Sequence, residues 1–208
     1  WSRTVTVPLT ILCSLRAKAA NPHKINIREL FTIDPKKERD YFPVRTPLNR
    51  LFLFIERTAS VFEPFIPNIL RRVALRRAER WIIERLNGEC GLGAIFPAMV
   101  NANEALSLLG YPYEHPYRDQ CRKALLGLLI IDDEQAWCQP CTSPVWDTAL
   151  ASLALQEDSG ADQKYVRKAL NWLAPLQILD APADWREENI KLAGGGWAFQ
   201  YANPHYPD

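Results

Sequence analysis

Ser143-Pro144-Val145-Trp146-Asp147-Thr148-Ala149-Leu150-Ala151-Ser152-Leu153-Ala154-Leu155-Gln156 is the stretch on which the fold turns. Serine stands where an N-cap is expected and Pro144 falls in the first turn, the favoured order at a helix start. Beyond Asp147 almost every side chain is apolar or small. The helix predicted over 143–156 therefore has no polar face to turn to water and calls for burial all round. Pro97–Leu109 reads the same way, with Met99, Val100, Leu106 and Leu109 apolar and Gly110-Tyr111-Pro112 ending it. A third helix of this pale kind is predicted from Pro207.

Between them lie helices of the opposite type. Asn68–Leu86 carries Ile69, Val73, Trp81 and Ile82 at helical spacing, with charge in between. Pro116–Ile131 carries Cys121, Leu125 and Leu128, and Asp162–Leu176 carries Val166, Ala169, Leu170 and Leu173. The two types alternate strictly. That alternation predicts an all-α chain built as an α/α barrel, in which inner helices are buried all round and outer helices bury one stripe. Ala102, Ala149, Ala151 and Ala154 would let inner helices approach closely. An α-solenoid stacks helix pairs in the same order, and periodicity alone leaves both open. No alternating run reaches convincing strand length.

Composition narrows the function classes. The chain is 48% hydrophobic and 24% charged, as globular proteins are, and its formal charge of +1 gives no reason to expect nucleic acid. Arg71, Arg72, Arg76, Arg77 and Arg80 read as a solvated helix face. Five cysteines at irregular spacing suit a reducing compartment better than a disulfide framework. Cys138-Gln139-Pro140-Cys141 has half of a zinc-site spacing but no second pair and no paired histidines, so no metal site is predicted. No stretch holds the ~20 consecutive apolar residues of a spanning helix. The chain begins at a tryptophan and ends on Tyr206-Pro207-Asp208, which reads as an internal piece of a longer protein.

Two glycine-rich loops, Asn87–Ala94 and Lys191–Gln200, each follow an amphipathic helix and precede a pale one. Neither leads into the Lys-Ser/Thr of a phosphate loop, so tight backbone packing beneath an aromatic is the better reading. Aromatic residues gather where the pale helices begin: Phe96, Trp146, Trp197, Phe199, Tyr201 and Tyr206. In an α/α barrel those ends share one mouth. Ring faces there suit an apolar ligand, and also a cation held away from water; ordinary core packing explains the same clustering.

These residues resemble the class II triterpene cyclases of the squalene–hopene type. The resemblance rests on Ser143–Leu150, on Gly195-Gly196-Trp197-Ala198-Phe199-Gln200-Tyr201 with Tyr206-Pro207-Asp208, on Trp1-Ser2-Arg3 with Val7-Pro8-Leu9, and on Gly91–Ala98. It is collinear over nearly the whole chain and weakest over about Lys18–Arg45. It implies parts of two barrels, residues 1–141 from the second, inserted barrel and 142–208 from the start of the catalytic one. It also implies QW repeats, in which an outer-helix glutamine packs with a tryptophan after a glycine turn. Lys168-Ala169, Trp172-Leu173, Gln177 and Gly195-Gly196-Trp197 match one with a long insertion. Arg77-Ala78, Trp81-Ile82 and Gly88–Gly93 match a degraded one, with Leu86 for the glutamine and Leu92 for the tryptophan.

By the same resemblance Asp208 is the first member of an Asp-x-Asp-Asp motif. Its middle aspartate, beyond the chain's last residue, protonates a terminal alkene, so the chain alone is expected to be inactive. Protonating an alkene needs a strong acid kept protonated and hydrogen-bonded away from water. Trp1, Ile95, Pro97, Trp146, Phe199 and Gln200 match positions lining the cyclisation cavity. Phe199 would stabilise early cations, Trp146 would shape the chamber, Ile95 and Pro97 would sit near the quenching end, and Gln200 would order water. Phe96 departs from a polar residue seen in some relatives. The implied reaction is cyclisation of squalene to hopene, or to hopanol where water adds, with no metal or organic cofactor. A cyclase of another polyprenoid, a protein prenyltransferase β-subunit and a non-catalytic helical scaffold are the competing readings.

Leu48-Asn49-Arg50-Leu51-Phe52-Leu53-Phe54-Ile55-Glu56-Arg57, continuing through Val61, Phe62, Phe65 and Ile66, is too short and too charged to span a bilayer. It suits a helix lying in the interface plane, and a core helix has the same composition. The resemblance favours the former. It implies a monotopic protein on the cytoplasmic side of the bacterial inner membrane, docked through residues 48–66, with a homodimer as a further expectation.

Overall fold

The computed structural model describes residues 2–18, 20–38, 42, 44–88, 90–158, 162–180, 183–188, 191–201 and 203–205, the side chains of Glu187 and Glu188 excepted. The chain divides into two compact units, Lys18–Ala74 and the combination of Trp1–Ala17 with Leu75–Asp208. Among the described residues it is mainly helical, in keeping with the all-α expectation.

In the smaller unit, α2 (Pro47–Phe62) starts at Thr46, whose hydroxyl accepts the Asn49 amide at 3.2 Å, and Pro47 sets the first turn. A 3₁₀ turn over Glu63–Phe65 ends it, and α3 (Asn68–Arg85) follows. The Arg71 guanidinium reaches back to Glu63 at 3.4 Å. No residue of α2 is buried. Leu48, Leu51, Phe52 and Ile55 follow helical spacing along one face and all are exposed.

The larger unit opens with α1 (Ser2–Ser14), a helix the periodicity did not announce. Thr4, Pro8 and Ile11 recur at i, i+4 and i+7 and form its buried stripe. It packs on α4 (Phe96–Leu108), which packs in turn on α5 (Pro116–Gly127). Ala98, Ala102, Ala105 and Leu106 of α4 are fully buried, together with Ile11, Ile82, Leu92 and Cys121. Alanines down the middle helix bring the neighbouring backbones close, as its pale sequence predicts.

Two expectations fail in instructive ways. The helix read as Pro116–Ile131 stops at Gly127, and Leu129–Ile131 (β1) pairs antiparallel with Ala136–Cys138 (β2), matching Ile130 to Trp137. The turn explains the switch. One Asp132 carboxylate oxygen accepts the amides of Glu134 (2.9 Å) and Gln135 (2.8 Å), which closes the hairpin and holds that carboxyl below the usual carboxylate range. The second concerns α6 (Pro144–Glu157), the stretch that calls for burial all round. Only Val145 and Ser152 are buried, while Leu150 and Leu153 are 59% and 58% exposed. It is thus no more buried than the amphipathic helices, because α7 (Gln163–Leu173) is the element it packs against and covers one side. Ser143 does occupy the N-cap, but its hydroxyl donates to the Asp147 carboxylate at 2.8 Å and caps no amide. At the start of α7 Asp162 is the N-cap, its carboxylate accepting the Lys164 amide at 2.9 Å.

Candidate functional site

The beginnings of the two pale helices are tied by backbone. Ile95, the N-cap of α4, forms an antiparallel bridge with Cys141. The Phe96 amide donates to Pro140 O at 2.9 Å and the Thr142 amide to Ala94 O at 3.2 Å. Cys141 stands two residues before the α6 N-cap, so Ile95 and Pro97 share an end with the entry to α6. The loop leading there is tight. Gly91 has φ +58°, and a Cβ on it would come within 2.8 Å of both Met99 Sδ and Ala124 Cβ. Glycine is required by conformation and by space.

The second glycine loop builds the aromatic part of the site. The Gln177 side-chain amide donates to Gly195 O at 2.7 Å, and the Trp197 indole N–H donates to Leu173 O at 2.7 Å. Ile178 and Gly196 form a bridge between those contacts. The degraded repeat has the same backbone frame, since Asn87 and Gly91 bridge at the corresponding positions. There Leu92 is wholly buried where Trp197 is half-buried, so packing replaces the two side-chain hydrogen bonds. Held by the intact repeat, Phe199 meets Trp146 edge to face, with ring centroids 5.3 Å apart and planes at 74°. Beside this pair Val145, Trp146, Ala149, Leu170, Leu173, Ala174 and Trp197 line an open apolar pocket of about 520 Å³.

The predicted residues thus fall into neighbouring groups, Ile95 with Pro97 and Trp146 with Phe199. Gln200 is fully buried, and among the described residues neither atom of its carboxamide has a hydrogen-bond partner. A buried amide of this kind needs polar company. Trp1 and Asp208 lie outside the described residues, as do Tyr206 and Pro207. Sequence reading missed a nearly buried ion pair of Arg85 and Asp184, with the partly exposed His205 beside it. Its only advance signal is a guanidinium four residues after Trp81 on a helix with one apolar stripe.

The family model of the squalene-hopene cyclase N-terminal domain matches residues 1–134, and that of the C-terminal domain matches residues 142–208. The chain is 41% identical over 217 residues to the squalene–hopene cyclase of Zymomonas mobilis, with all of this chain and 32% of the relative covered. To the squalene–hopene cyclase of Schizosaccharomyces japonicus it is 41% identical over 218 residues, covering 33% of that protein. To the probable squalene–hopene cyclase of Sinorhizobium fredii it is 42% identical over 214 residues, again covering 33%. The chain spans about a third of the length of the curated relatives it matches, and among its described residues no helix is long and apolar enough to cross a membrane. With both domain models and whole-chain identity in agreement, the chain belongs to the squalene–hopene cyclase family.

Proposed function

We propose that the protein carrying this chain cyclises squalene to hopene, with hopanol formed where water captures the last cation. The observation that carries the reading is identity of 41–42% along the entire chain to proteins bearing that activity in their names. Residues 1–141 belong to the second, inserted barrel and residues 142–208 open the catalytic one. Asp208 begins the acid motif, whose middle aspartate delivers a proton to a terminal double bond. The π electrons of that bond form the new C–H bond, and the tertiary cation left behind is attacked by the next double bond in turn. Loss of a proton at the end gives hopene; addition of water and loss of its proton gives hopanol.

The chain's own residues supply the chamber. Phe199 and Trp146 present ring surfaces to developing positive charge, an interaction worth about 2 kcal/mol where water is excluded. Ile95 and Pro97 stand at the quenching end, and Trp1 lines the same cavity. The Gln200 carboxamide, buried and without a hydrogen-bond partner among the described residues, suits the ordering of solvent. The substrate is a membrane lipid, and α2 suits docking to the cytoplasmic face of the bacterial inner membrane. Phe54 and Phe62 of α2 and Phe65 of the turn after it are 67%, 62% and 76% exposed, an apolar display that marks an interaction surface.

The test is direct. The intact protein, incubated with squalene in detergent, yields pentacyclic hopene by gas chromatography with mass spectrometry. An Asp208→Asn variant loses that product. Parent protein that returns squalene unchanged, or gives only products of another class, refutes the proposal.

A further inference from the structure

The outward side of α3 is built from two kinds of residue. With 3.6 residues per turn, Ile69, Val73, Arg76 and Arg80 fall close to one line along the helix, and Arg72 and Arg77 flank it. All six are exposed, whereas Leu75, Ala78 and Ile82 on the opposite side pack into the core of the larger unit. Among the described residues no carboxylate lies within ion-pair distance of Arg72, Arg76, Arg77 or Arg80, although Arg71, Arg122 and Arg186 each have one. Glu79, the one acid between Arg72 and Arg80, accepts the Tyr111 hydroxyl at 2.7 Å instead. Local rules weigh against such a helix. Arg72 with Arg76, and Arg76 with Arg80, are like charges four residues apart, which repel. Arginine near the N-terminus also opposes the helix dipole, and the first turn of α3 holds no acid to offset it. A surface that accepts both penalties without an internal counter-charge is presented to something outside the chain. The larger charge pattern agrees: residues 18–80 hold 14 of the 25 Lys and Arg but only 7 of the 24 Asp and Glu, in a chain of net charge +1. The arginines also continue an apolar surface. Ile69 and Val73 precede them on the same line, and Phe65 and Ile66 precede those in the turn after α2, all exposed. The Arg71–Glu63 pair ties the start of α3 to that turn.

We propose that Arg72, Arg76, Arg77 and Arg80 bind the phosphates of anionic phospholipids and make docking selective for a negatively charged bilayer; this rests on the membrane-docking part of the reading above. Apolar side chains giving way to arginines within about 16 Å of helix match the order of a bilayer surface, acyl chains first and phosphates next. Each guanidinium can meet phosphate oxygens through two parallel N–H bonds. Headgroups come already arrayed in a plane, so one helix face engages several at once, and their charge relieves the repulsion along the arginine column.

The experiment measures cosedimentation of the full-length enzyme with vesicles of phosphatidylcholine alone, or of an equal mixture with phosphatidylglycerol. The parent binds the mixed vesicles more tightly, and salt at about 1 M erases the difference, because the screening length then falls to about 3 Å. Replacing Arg72, Arg76 and Arg80 together with glutamine lowers affinity for the mixed vesicles on the order of a hundredfold, about fivefold per arginine. Binding of that variant to neutral vesicles stays at the parental value, and lysine at the same three positions keeps most of the preference. Glycerol phosphate in solution does not displace the parent; displacement would mark a site for a soluble anion and overturn the proposal. Equal parental affinity for the two vesicles, or a glutamine variant that keeps the preference, overturns it and leaves the docking of α2 standing. A glutamine variant that loses neutral vesicles as well, with a lowered unfolding midpoint, overturns it too, since the arginines then serve the fold. If the triple variant does not accumulate as folded protein, Arg76→Gln with Arg80→Gln decides by the same readouts. A parent that binds neither vesicle removes the docking reading, and this inference with it. Turnover is not a readout, so a parent that forms no cyclised product fails the cyclase reading alone.

Discussion

Gly194→Ala tests whether the glycine loop holds the aromatic site in place. A Cβ built on Gly194 falls 1.7 Å from Leu179 O, 2.4 Å from Leu179 C and 3.1 Å from Ile178 O. These are backbone atoms, so no rotamer change relieves the clash. The two segments must part by about 1.5 Å or more to reach van der Waals separation. Four hydrogen bonds cross that line: Ile178 N to Gly196 O and Gly195 N to Ile178 O, both at 2.8 Å, and the Gln177 and Trp197 side-chain bonds at 2.7 Å. At about 1 kcal/mol each, their loss costs about 4 kcal/mol. Gly88→Ala is the control, because a Cβ there meets no atom within 4 Å. The assay is urea denaturation of the intact protein, joined to amide hydrogen exchange over 173–200. Gly194→Ala should lower the transition and expose the amides of Ile178 and Gly195, and Gly88→Ala should do neither. Equal midpoints and equal protection for the two variants would show that the loop accommodates a side chain, contrary to this packing.

Phe199→Ala in the full-length enzyme removes a ring face worth about 2 kcal/mol, so cyclisation slows about thirtyfold or releases partly cyclised products; a parental rate and product pattern would refute the assigned role. Replacing Phe54, Phe62 and Phe65 with serine moves the protein from the membrane to the soluble fraction on centrifugation, each buried phenylalanine contributing about 1.5–3 kcal/mol to docking. Their exposure means folding should survive, and unchanged sedimentation with membranes would exclude this surface. Burial pushes the Cys121 thiol up to about 11, so it stays protonated at pH 8, where the thiolate is the reactive form. Iodoacetamide at that pH should label exposed Cys138 and spare Cys121 until the protein is denatured; labelling of both at one rate would contradict the buried assignment.

The sequence by itself determined the elements whose cause is local. Proline in the first turn set the starts of α4 and α6, and apolar spacing placed α3 and α7, all within two or three residues of where they lie. The buried alanines of α4 were legible for the same reason, since a helix without a polar face must hide. The glutamine–tryptophan repeat was legible only through the resemblance, since a long insertion separates Gln177 from its glycine turn. Local pattern misled where a short-range competitor took over. Asp132 offered the backbone a tight turn, and the last residues read into α5 became a strand. It also failed where burial depends on neighbours. α6 is as pale as α4, yet among the described residues α7 is the helix packed on it and its leucines stay exposed. Burial is a property of what surrounds a helix, and this chain spans about a third of its relatives' length. Only tertiary structure could bring Arg85 to Asp184 across 99 residues, or set Trp146 against Phe199. Such contacts carry no sequence period, because the chain between them folds on its own terms and only then delivers the partners to one place.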